Sequence, residues 1–224
     1  MGTPAAGLTS PLLPILRSRI AAEGPISVAA YMADCLLHPE HGYYRSQEAI
    51  GLSGDFITAP EISQMFGELL GLWAADCWQR IGTPPRCYLV ELGPGRGTMM
   101  RDALRAARIA PGFRNSVCPV LVEASPRMVE LQRATLAGEA VVWQADIAAL
   151  PDDAPIILLA NEFLDALPVR QFQRGHDGAW HERHVGLAED RLTLQFTLDP
   201  RALPLEDMLP TDLREAPVGS IVES

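Results

Sequence analysis

The sequence predicts an α/β protein with a doubly wound, mostly parallel sheet and an appended antiparallel meander. From residue 87 onward, helical patterns separate four short apolar runs, "CYLVEL", "PVLVEA", "AVVWQAD" and "PIILLANE". Apolar strands joined by helices indicate a parallel sheet covered on both faces, because each crossover lays a helix on the sheet. After Pro168 the pattern changes to alternation, which predicts antiparallel strands.

The N-terminal third is predicted to be helical. Residues 11–36 carry apolar side chains at helical spacing and are interrupted by Gly24 and Pro25, which predicts two helices. Thr58 and Glu61 stand three apart, as in a capping box, so we expect a helix from Thr58 to about residue 80. The apolar side chains that this helix is expected to bury are Ile62, Phe66, Leu69, Leu70, Trp73, Cys77 and Ile81.

The C-terminal part contains three alternating runs, "VRQFQR", "AWHERHVGL" and "EDRLTLQFTL", with "GHDG" as a turn between the first two. His181 and His184 are three apart, which places them on opposite faces of a strand, so we expect solvated histidines rather than a shared metal ion. We therefore divide the chain into a helical segment with a loop (1–82), a parallel-sheet core (83–168) and a meander on the substrate side (169–224).

Composition excludes several classes of function. The 224 residues carry 18 basic and 28 acidic side chains, and a net charge of −10 without a basic stripe argues against binding nucleic acid. The four cysteines are far apart and lack the spacing of a zinc site, so no metal is predicted. No apolar run approaches the roughly 20 residues that span a bilayer, and no targeting segment is evident, which predicts a cytoplasmic protein.

The stretch "ELGPGRGTMM" places Gly93, Gly95 and Gly97 directly behind the first predicted strand. In a sheet of this kind, ligands bind beyond the carboxyl ends of the strands, and glycines there let backbone amides approach a ligand. A dinucleotide fold requires the third glycine one residue later, where this chain has Thr98. No phosphate-binding lysine motif follows the turn, so the glycines alone leave several other cofactors open.

With its leading acid, "ELGPGRG" resembles the first motif of class I S-adenosylmethionine-dependent methyltransferases. The resemblance implies that Glu91 faces the amino end of the cofactor, that Glu123 accepts hydrogen bonds from the ribose hydroxyls and that Asp146 lies by the adenine. An acid at a strand end is also commonly a helix cap or solvated. The cofactor-binding residues implied in this core are Glu91, Gly93, Gly95, Gly97, Thr98, Glu123 and Asp146.

Longer motifs extend the resemblance from this class of methyltransferases to one family within it. "HPEHGYY", "GDFITAPEISQMFGELLG", "ELGPGRGTMMRDAL" and "ANEFLDALPVRQF" occur in the order typical of the MidA-like family, and the match runs from residue 12 to the end. The resemblance implies a Rossmann-like core and transfer of a methyl group to an arginine of a protein substrate, a core subunit of respiratory complex I. "GSIVES" resembles the start of a segment after which the family continues, so we expect an N-terminal portion with an open sheet edge.

Three polar residues follow the fourth predicted strand, at the expected methyl position: Asn161, Glu162 and Asp165. A guanidinium that accepts the methyl group is planar and protonated at neutral pH. A carboxylate suits it as a partner, because the carboxylate can bind it through two hydrogen bonds and take a proton from it. Glu162 is the first candidate, with a helix N-terminal acid as its structural alternative. Asp165 has a cap or turn residue as its alternative.

The irregular loop before Thr58 has two interpretations. Gly54, Asp55, Phe56 and Thr58 form either a lid over the cofactor or a surface loop that ends in a helix cap.

Two hypotheses of function follow from the whole sequence. The first is an S-adenosylmethionine-dependent protein arginine methyltransferase. The second is a non-catalytic assembly or interaction module that retains the same fold.

Overall fold

The computed structural model of the chain describes residues 10–224 except 44–57, 206–208, 211–212 and 214. The chain divides into two compact units, one of Met1–Gln47 with Ala166–Ser224 and the other of Glu48–Asp165. This grouping cuts the chain differently from the three segments predicted above, because residues 58–82 belong with the parallel sheet. None of the helices in the described ranges combines the length and the hydropathy needed to cross a membrane.

Helices and strands alternate along the chain as the sequence predicts. The helices are α1 (Leu12–Glu23), α2 (Val28–Leu37), α3 (Ala59–Ile62), α4 (Gln64–Arg80), α5 (Thr98–Ala107), α6 (Pro111–Ser116) and α7 (Pro126–Thr135). The strands are β1 (Ile26–Ser27), β2 (Cys87–Leu92), β3 (Val117–Val122), β4 (Val142–Gln144), β5 (Ile156–Leu159), β6 (Gln171–Arg174), β7 (Trp180–Leu187), β8 (Leu194–Leu203) and β9 (Ile221–Glu223).

The second unit is built on a parallel sheet with the strand order β4-β3-β2-β5. All three pairings are parallel, and residues 87–92 of β2 pair in register with residues 117–122 of β3. Every residue of β2 is buried, as expected for a central strand of a covered parallel sheet. The predicted doubly wound α/β core is thus confirmed, and among the described strands β5 has a neighbour on one side only.

The helix predicted from Thr58 to about residue 80 is wrong in its first turns. Ser63 has an extended backbone, with φ −144°, and separates α3 from α4. Thr58 makes no side-chain cap, and Glu61 instead accepts a hydrogen bond from the Thr98 hydroxyl at 2.7 Å. Thr58 and Glu61 therefore do not form a capping box in the described structure, because the Glu61 carboxylate bonds to Thr98, the first residue of α5.

The face that α4 buries is also not the predicted one. Gly67, Gly71, Ala74, Ala75 and Trp78 are buried, whereas Ile62, Leu69, Trp73 and Ile81 are exposed and Phe66, Leu70 and Cys77 are half-buried. The reason is close packing of α4 against α5. A Cβ at position 71 would lie 2.4 Å from the Ala103 carbonyl oxygen, so the helix turns its small residues toward its neighbour.

The first unit contains an antiparallel sheet of order β1-β7-β6-β9, in which β8 pairs with β7. The predicted meander is present, and α1 and α2 pack on it around Leu16, Ile20 and Val185. The short strand β9, which the sequence did not predict, pairs with β6.

The prediction of solvated histidines is wrong for His181, which is 8% exposed. It lies on β7 between β6 and β8, and its Nε2 is 3.0 Å from the Asp177 carboxylate. Its Nδ1 lies 2.8 Å from the Asp199 carbonyl oxygen, and these two contacts raise the pKa of His181. The position of β7 inside the sheet is what buries the ring.

The close packing of α4 on α5 predicts that Gly71→Ala destabilises the protein. An alanine in a helix interior normally gains about 1 kcal/mol over glycine. Here the added Cβ meets backbone, so we expect a loss of about 1–3 kcal/mol in the free energy of unfolding, measured in urea. Gln79→Ala, at an exposed position of the same helix, should change stability by less than about 0.5 kcal/mol. A Gly71→Ala protein as stable as the parent would contradict the packing.

Candidate functional site

The glycine turn joins the carboxyl end of β2 to the N-terminus of α5. Gly93, Gly95 and Gly97 have φ values of 58°, 52° and 81°, in the left-handed region that favours glycine. A Cβ at Gly93 would lie 2.6 Å from Cδ2 of Phe163, so that position has no room for a side chain. Gly97 is the N-cap residue of α5. The turn therefore brings bare backbone and a helix N-terminus to the end of the central strand.

Glu91, the penultimate residue of β2, is a buried acid with an unused oxygen. It is 2% exposed, and its Oε2 has no hydrogen-bond partner in the part of the chain that the structure describes. The Met100 N–H donates a hydrogen bond to the carboxylate, but burial dominates and raises the pKa of Glu91 to about 8. A buried carboxylate oxygen without a partner is costly, so Glu91 suits a ligand that brings a positive charge or a hydrogen-bond donor.

Glu123 directly follows β3 at the same edge of the sheet. Its Oε1 accepts a hydrogen bond from the Ser125 N–H at 2.8 Å, and its Oε2 accepts one from the Gln132 side chain at 3.1 Å. Burial raises the pKa of Glu123, although these hydrogen bonds oppose the rise. The carboxylate is therefore held in one orientation, with acceptor sites left for hydroxyl groups.

Asp146 lies close behind β4 and is exposed. Its Oδ1 accepts a hydrogen bond from the Ala148 N–H at 2.8 Å, and the residue caps the short 3₁₀ turn Ile147–Ala149. The structure thus shows the cap that was the alternative interpretation of this acid. A carboxylate offers about four acceptor sites, so this cap leaves it capacity to accept further hydrogen bonds.

The three residues predicted at the acceptor position follow β5. Asn161 is half-buried and lines an open hollow of about 300 Å³ whose other walls include Trp73 of α4 and Met99 of α5. Glu162 and Asp165 are exposed, and Asp165 lies in the 3₁₀ turn Leu164–Ala166.

The backbone at Glu162 is strained. Its φ of 49° is uncommon for a residue other than glycine. No helix begins at this residue in the described structure, so the helix N-terminal interpretation of Glu162 does not hold. Backbone strain of this kind is concentrated at functional sites.

Of the predicted loop residues, Gly54, Asp55 and Phe56 lie outside the described residues. Thr58 is half-buried at the start of α3, and Thr98 is tied to that helix through Glu61. The prediction of a lid over the site stays a prediction. No group of three or more His, Cys, Asp or Glu side chains in the described ranges is placed to hold a metal ion.

Sequence reasoning missed Gln132, which contacts both Glu123 and the glycine turn. A signal for it was present. Val129, Gln132 and Leu136 stand at i, i+3 and i+7 on one face of α7, so an amide occupies a position where the helix is expected to be apolar. A buried polar side chain needs hydrogen-bond partners, and here the partners include two residues of the candidate site, Gly95 and Glu123.

Burial of Glu91 predicts a distinct pH dependence of stability. Between about pH 4.5 and 8 the folded protein retains a proton that the unfolded chain has lost, so stability falls as the pH rises through this window. Glu91→Gln removes the contribution of this ionisation to the unfolding free energy. The difference in unfolding free energy between the parent and Glu91→Gln should therefore change by up to about 1.4 kcal/mol per pH unit.

The measurement is urea unfolding of both proteins from pH 5 to pH 8. Glu189→Gln, at an exposed position in the other unit, serves as the control and should follow the parent at every pH. Parallel pH profiles for the parent and Glu91→Gln would contradict the burial of an ionisable group at this position.

Comparison with known proteins agrees with this geometry. Residues 69–224 match a family model described as "Putative S-adenosyl-L-methionine-dependent methyltransferase". The mitochondrial protein arginine methyltransferase NDUFAF7 of Mus musculus is 39% identical in an alignment that covers 92% of this chain and 52% of that protein. The Homo sapiens protein is 38% identical and is covered to 53%. The chain thus spans about half the length of these curated relatives.

A solved structure gives the same result for the fold. The crystal structure of a "likely methyl transferase from Burkholderia thailandensis bound to S-adenosyl-homocysteine" superposes with a TM-score of 0.78 at 26% identity. The superposition covers all of this chain and 59% of the Burkholderia thailandensis chain. The family resemblance and the Rossmann-like fold predicted from the motifs are confirmed. The chain belongs to the S-adenosyl-L-methionine-dependent methyltransferase family that this model describes.

Proposed function

We propose that this chain binds S-adenosylmethionine and that its activity is methyl transfer to arginine in a protein substrate. The observation that carries the proposal is the buried carboxylate of Glu91, whose Oε2 has no hydrogen-bond partner among the described residues, beside a turn of three left-handed glycines. A ligand with an ammonium group and a flexible chain fits such a place, because it pairs the acid and lies against bare backbone.

Residues at three strand ends would hold the cofactor. Glu91 would pair with its amino group, the glycine turn would accommodate the methionine portion, and Glu123 would accept hydrogen bonds from the ribose hydroxyls. Asp146 would accept a hydrogen bond from the adenine amino group. The bound cofactor supplies an electrophilic methyl group on a sulfonium.

Residues after β5 would hold the acceptor. A guanidinium is planar and carries its charge at neutral pH, so a carboxylate both aligns it and takes its proton as the nitrogen is methylated. Glu162 is the candidate for this role, and the backbone strain at φ 49° is an independent reason to single it out. Asn161, half-buried in the adjoining hollow, would orient the acceptor. Asp165 would add negative potential near it.

The substrate itself is a finer proposal. Relatives of this chain are named protein arginine methyltransferases of mitochondria. Together with the motifs given above, this supports a core subunit of respiratory complex I as the substrate. A second candidate function, a non-catalytic assembly module, is favoured by the exposed acceptor-side residues and by the exposed apolar residues of α4.

Calorimetric titration with S-adenosylhomocysteine tests the cofactor. We expect binding by the parent and its loss in Gly95→Val, because valine strains a φ of 52° and fills the turn. Gly138→Val is the matched control. Gly138 has a φ of 89°, and a Cβ there meets nothing within 4 Å, so the control carries similar strain outside the turn.

The control should bind as the parent does while showing a comparable loss of stability. Gly95→Val with unchanged affinity, its fold verified by circular dichroism, would refute the placement of the cofactor. A folded parent that does not bind S-adenosylhomocysteine would refute the proposed enzyme.

Two substitutions at Glu162 separate chemistry from strain. In Glu162→Gln we expect methyl transfer to proteins of a cell extract to fall by about 10²-fold or more, with S-adenosylhomocysteine affinity unchanged. In Glu162→Gly we expect the same loss of transfer but a gain of about 1 kcal/mol in unfolding free energy, because glycine tolerates the left-handed backbone.

Arg191→Gly controls for the backbone effect. Arg191 has a φ of 54° in a turn of the other unit, so this variant should gain stability without any change in transfer. Normal transfer by Glu162→Gln would exclude Glu162 as the base. Cofactor binding by the parent without transfer to any protein would favour the assembly module.

A further inference from the structure

Gln132 on α7 is a fully buried amide, with 0% exposure, whose polar atoms are all engaged. Its Nε2 donates to the carbonyl oxygen of Gly95 at 2.8 Å and to Oε2 of Glu123 at 3.1 Å. Its Oε1 accepts a hydrogen bond from Nε1 of Trp143 at 3.0 Å. One side chain thus connects the turn after β2, the acid after β3 and a residue of β4.

The chemistry of these partners fixes the orientation of the amide. The indole N–H of Trp143 is a donor only, so the amide oxygen has to face it. The carbonyl of Gly95 and the carboxylate of Glu123 are acceptors only, so both amide hydrogens point to them. Neither a rotated amide nor a shorter side chain satisfies all three, which makes Gln132 specific for this place.

Packing adds a second connection to the turn. A Cβ at Gly97 would lie 3.5 Å from Cγ of Gln132, so the stem of the side chain lies against the glycine turn. Glu123 receives one hydrogen bond from the Ser125 N–H and another from Gln132, on different oxygens. A carboxylate offers about four acceptor sites, so both of its oxygens can still accept hydrogen bonds from a pair of ligand hydroxyls.

We propose that Gln132 is a positioning residue for the sugar of the cofactor: it aligns the Glu123 carboxylate with the glycine turn so that both ribose hydroxyls are bound. The inference rests on the proposed function. Gln132 also opposes the effect of burial on the pKa of Glu123. This hydrogen bond favours the ionised form of Glu123, which accepts hydrogen bonds but does not donate them.

The test compares two ligands on two proteins by calorimetry. The ligands are S-adenosylhomocysteine and its 2′,3′-dideoxy analogue, which lacks the hydroxyls that Glu123 would bind. Gln132→Met removes the hydrogen bonds and retains the length of the side chain. We expect it to weaken S-adenosylhomocysteine binding about 10- to 100-fold, the range for a hydrogen bond to a charged group. For the dideoxy analogue the two proteins should agree within about threefold, since no hydroxyl is left to align.

Two further variants make the result decisive. Gln132→Glu retains the shape and the acceptor for Trp143 but sets a carboxylate against Glu123, so it too should lose affinity for S-adenosylhomocysteine. Glu130→Met, on the same helix with an exposed side chain, should bind both ligands as the parent does. Circular dichroism and thermal unfolding establish that each variant is folded.

Equal losses for the two ligands would overturn the proposal, because a purely structural role does not distinguish the ribose hydroxyls. Folded Gln132→Met and Gln132→Glu proteins with parental affinity would also overturn it. A parent protein that binds neither ligand overturns the proposed function itself, and this inference with it.

Discussion

Complete burial of β2 is the constraint on which the site depends. Every residue of this strand is buried, and the strand lies between β3 and β5. An acid at its carboxyl end therefore has no access to bulk water, and Glu91 retains its proton to about pH 8. A cationic ligand removes this penalty by pairing with the carboxylate. Binding of the proposed cofactor would consequently be linked to the ionisation of Glu91, and the stability lost at this position would favour the bound state.

A second constraint is the close approach of α4 to α5. Gly67 and Gly71 allow the two backbones to meet, so the large apolar residues of α4 cannot also face α5. They point elsewhere, and Leu69 and Trp73 are 58% and 49% exposed. Trp73 lines the hollow beside Asn161, which places this apolar surface next to the predicted acceptor residues. The same packing that stabilises the sheet unit thus decides what surrounds the site.

Much of the fold follows from local patterns in the sequence. The buried strands read as apolar runs, and the glycines mark the turn whose backbone requires them. Other features depend on tertiary contacts that no local pattern encodes. Ser63 interrupts a helix that the apolar spacing continues, and Glu61 leaves its expected capping role for the Thr98 hydroxyl. The buried face of α4 is determined by close contact with the backbone of α5, which the spacing of apolar residues does not indicate.

The candidate site shows the same division. Glu91 and Glu123 could be predicted because a motif places them at strand ends. A polar residue at the position of Gln132 indicates that it needs partners, but its role could not be predicted, because the three hydrogen bonds join it to residues 9 to 37 positions away. The backbone of Glu162 is likewise invisible in the sequence, since glutamate carries no signal for a left-handed conformation.

The two halves of the site therefore differ in physical character. On the proposed cofactor side, Glu91 and Gln132 are buried and Glu123 is half-buried, whereas Asp146 is exposed. Hydrogen bonds of the buried groups act in a medium of low dielectric constant, where each contributes strongly to alignment. The proposed acceptor side has exposed carboxylates after β5, whose pairing with a guanidinium would be screened by water and would contribute about 0–1 kcal/mol per pair. Charge alone would thus hold an arginine side chain weakly. Binding of the proposed protein substrate would have to draw on apolar area as well, and the exposed residues of α4 beside Asn161 offer that area where the arginine would enter.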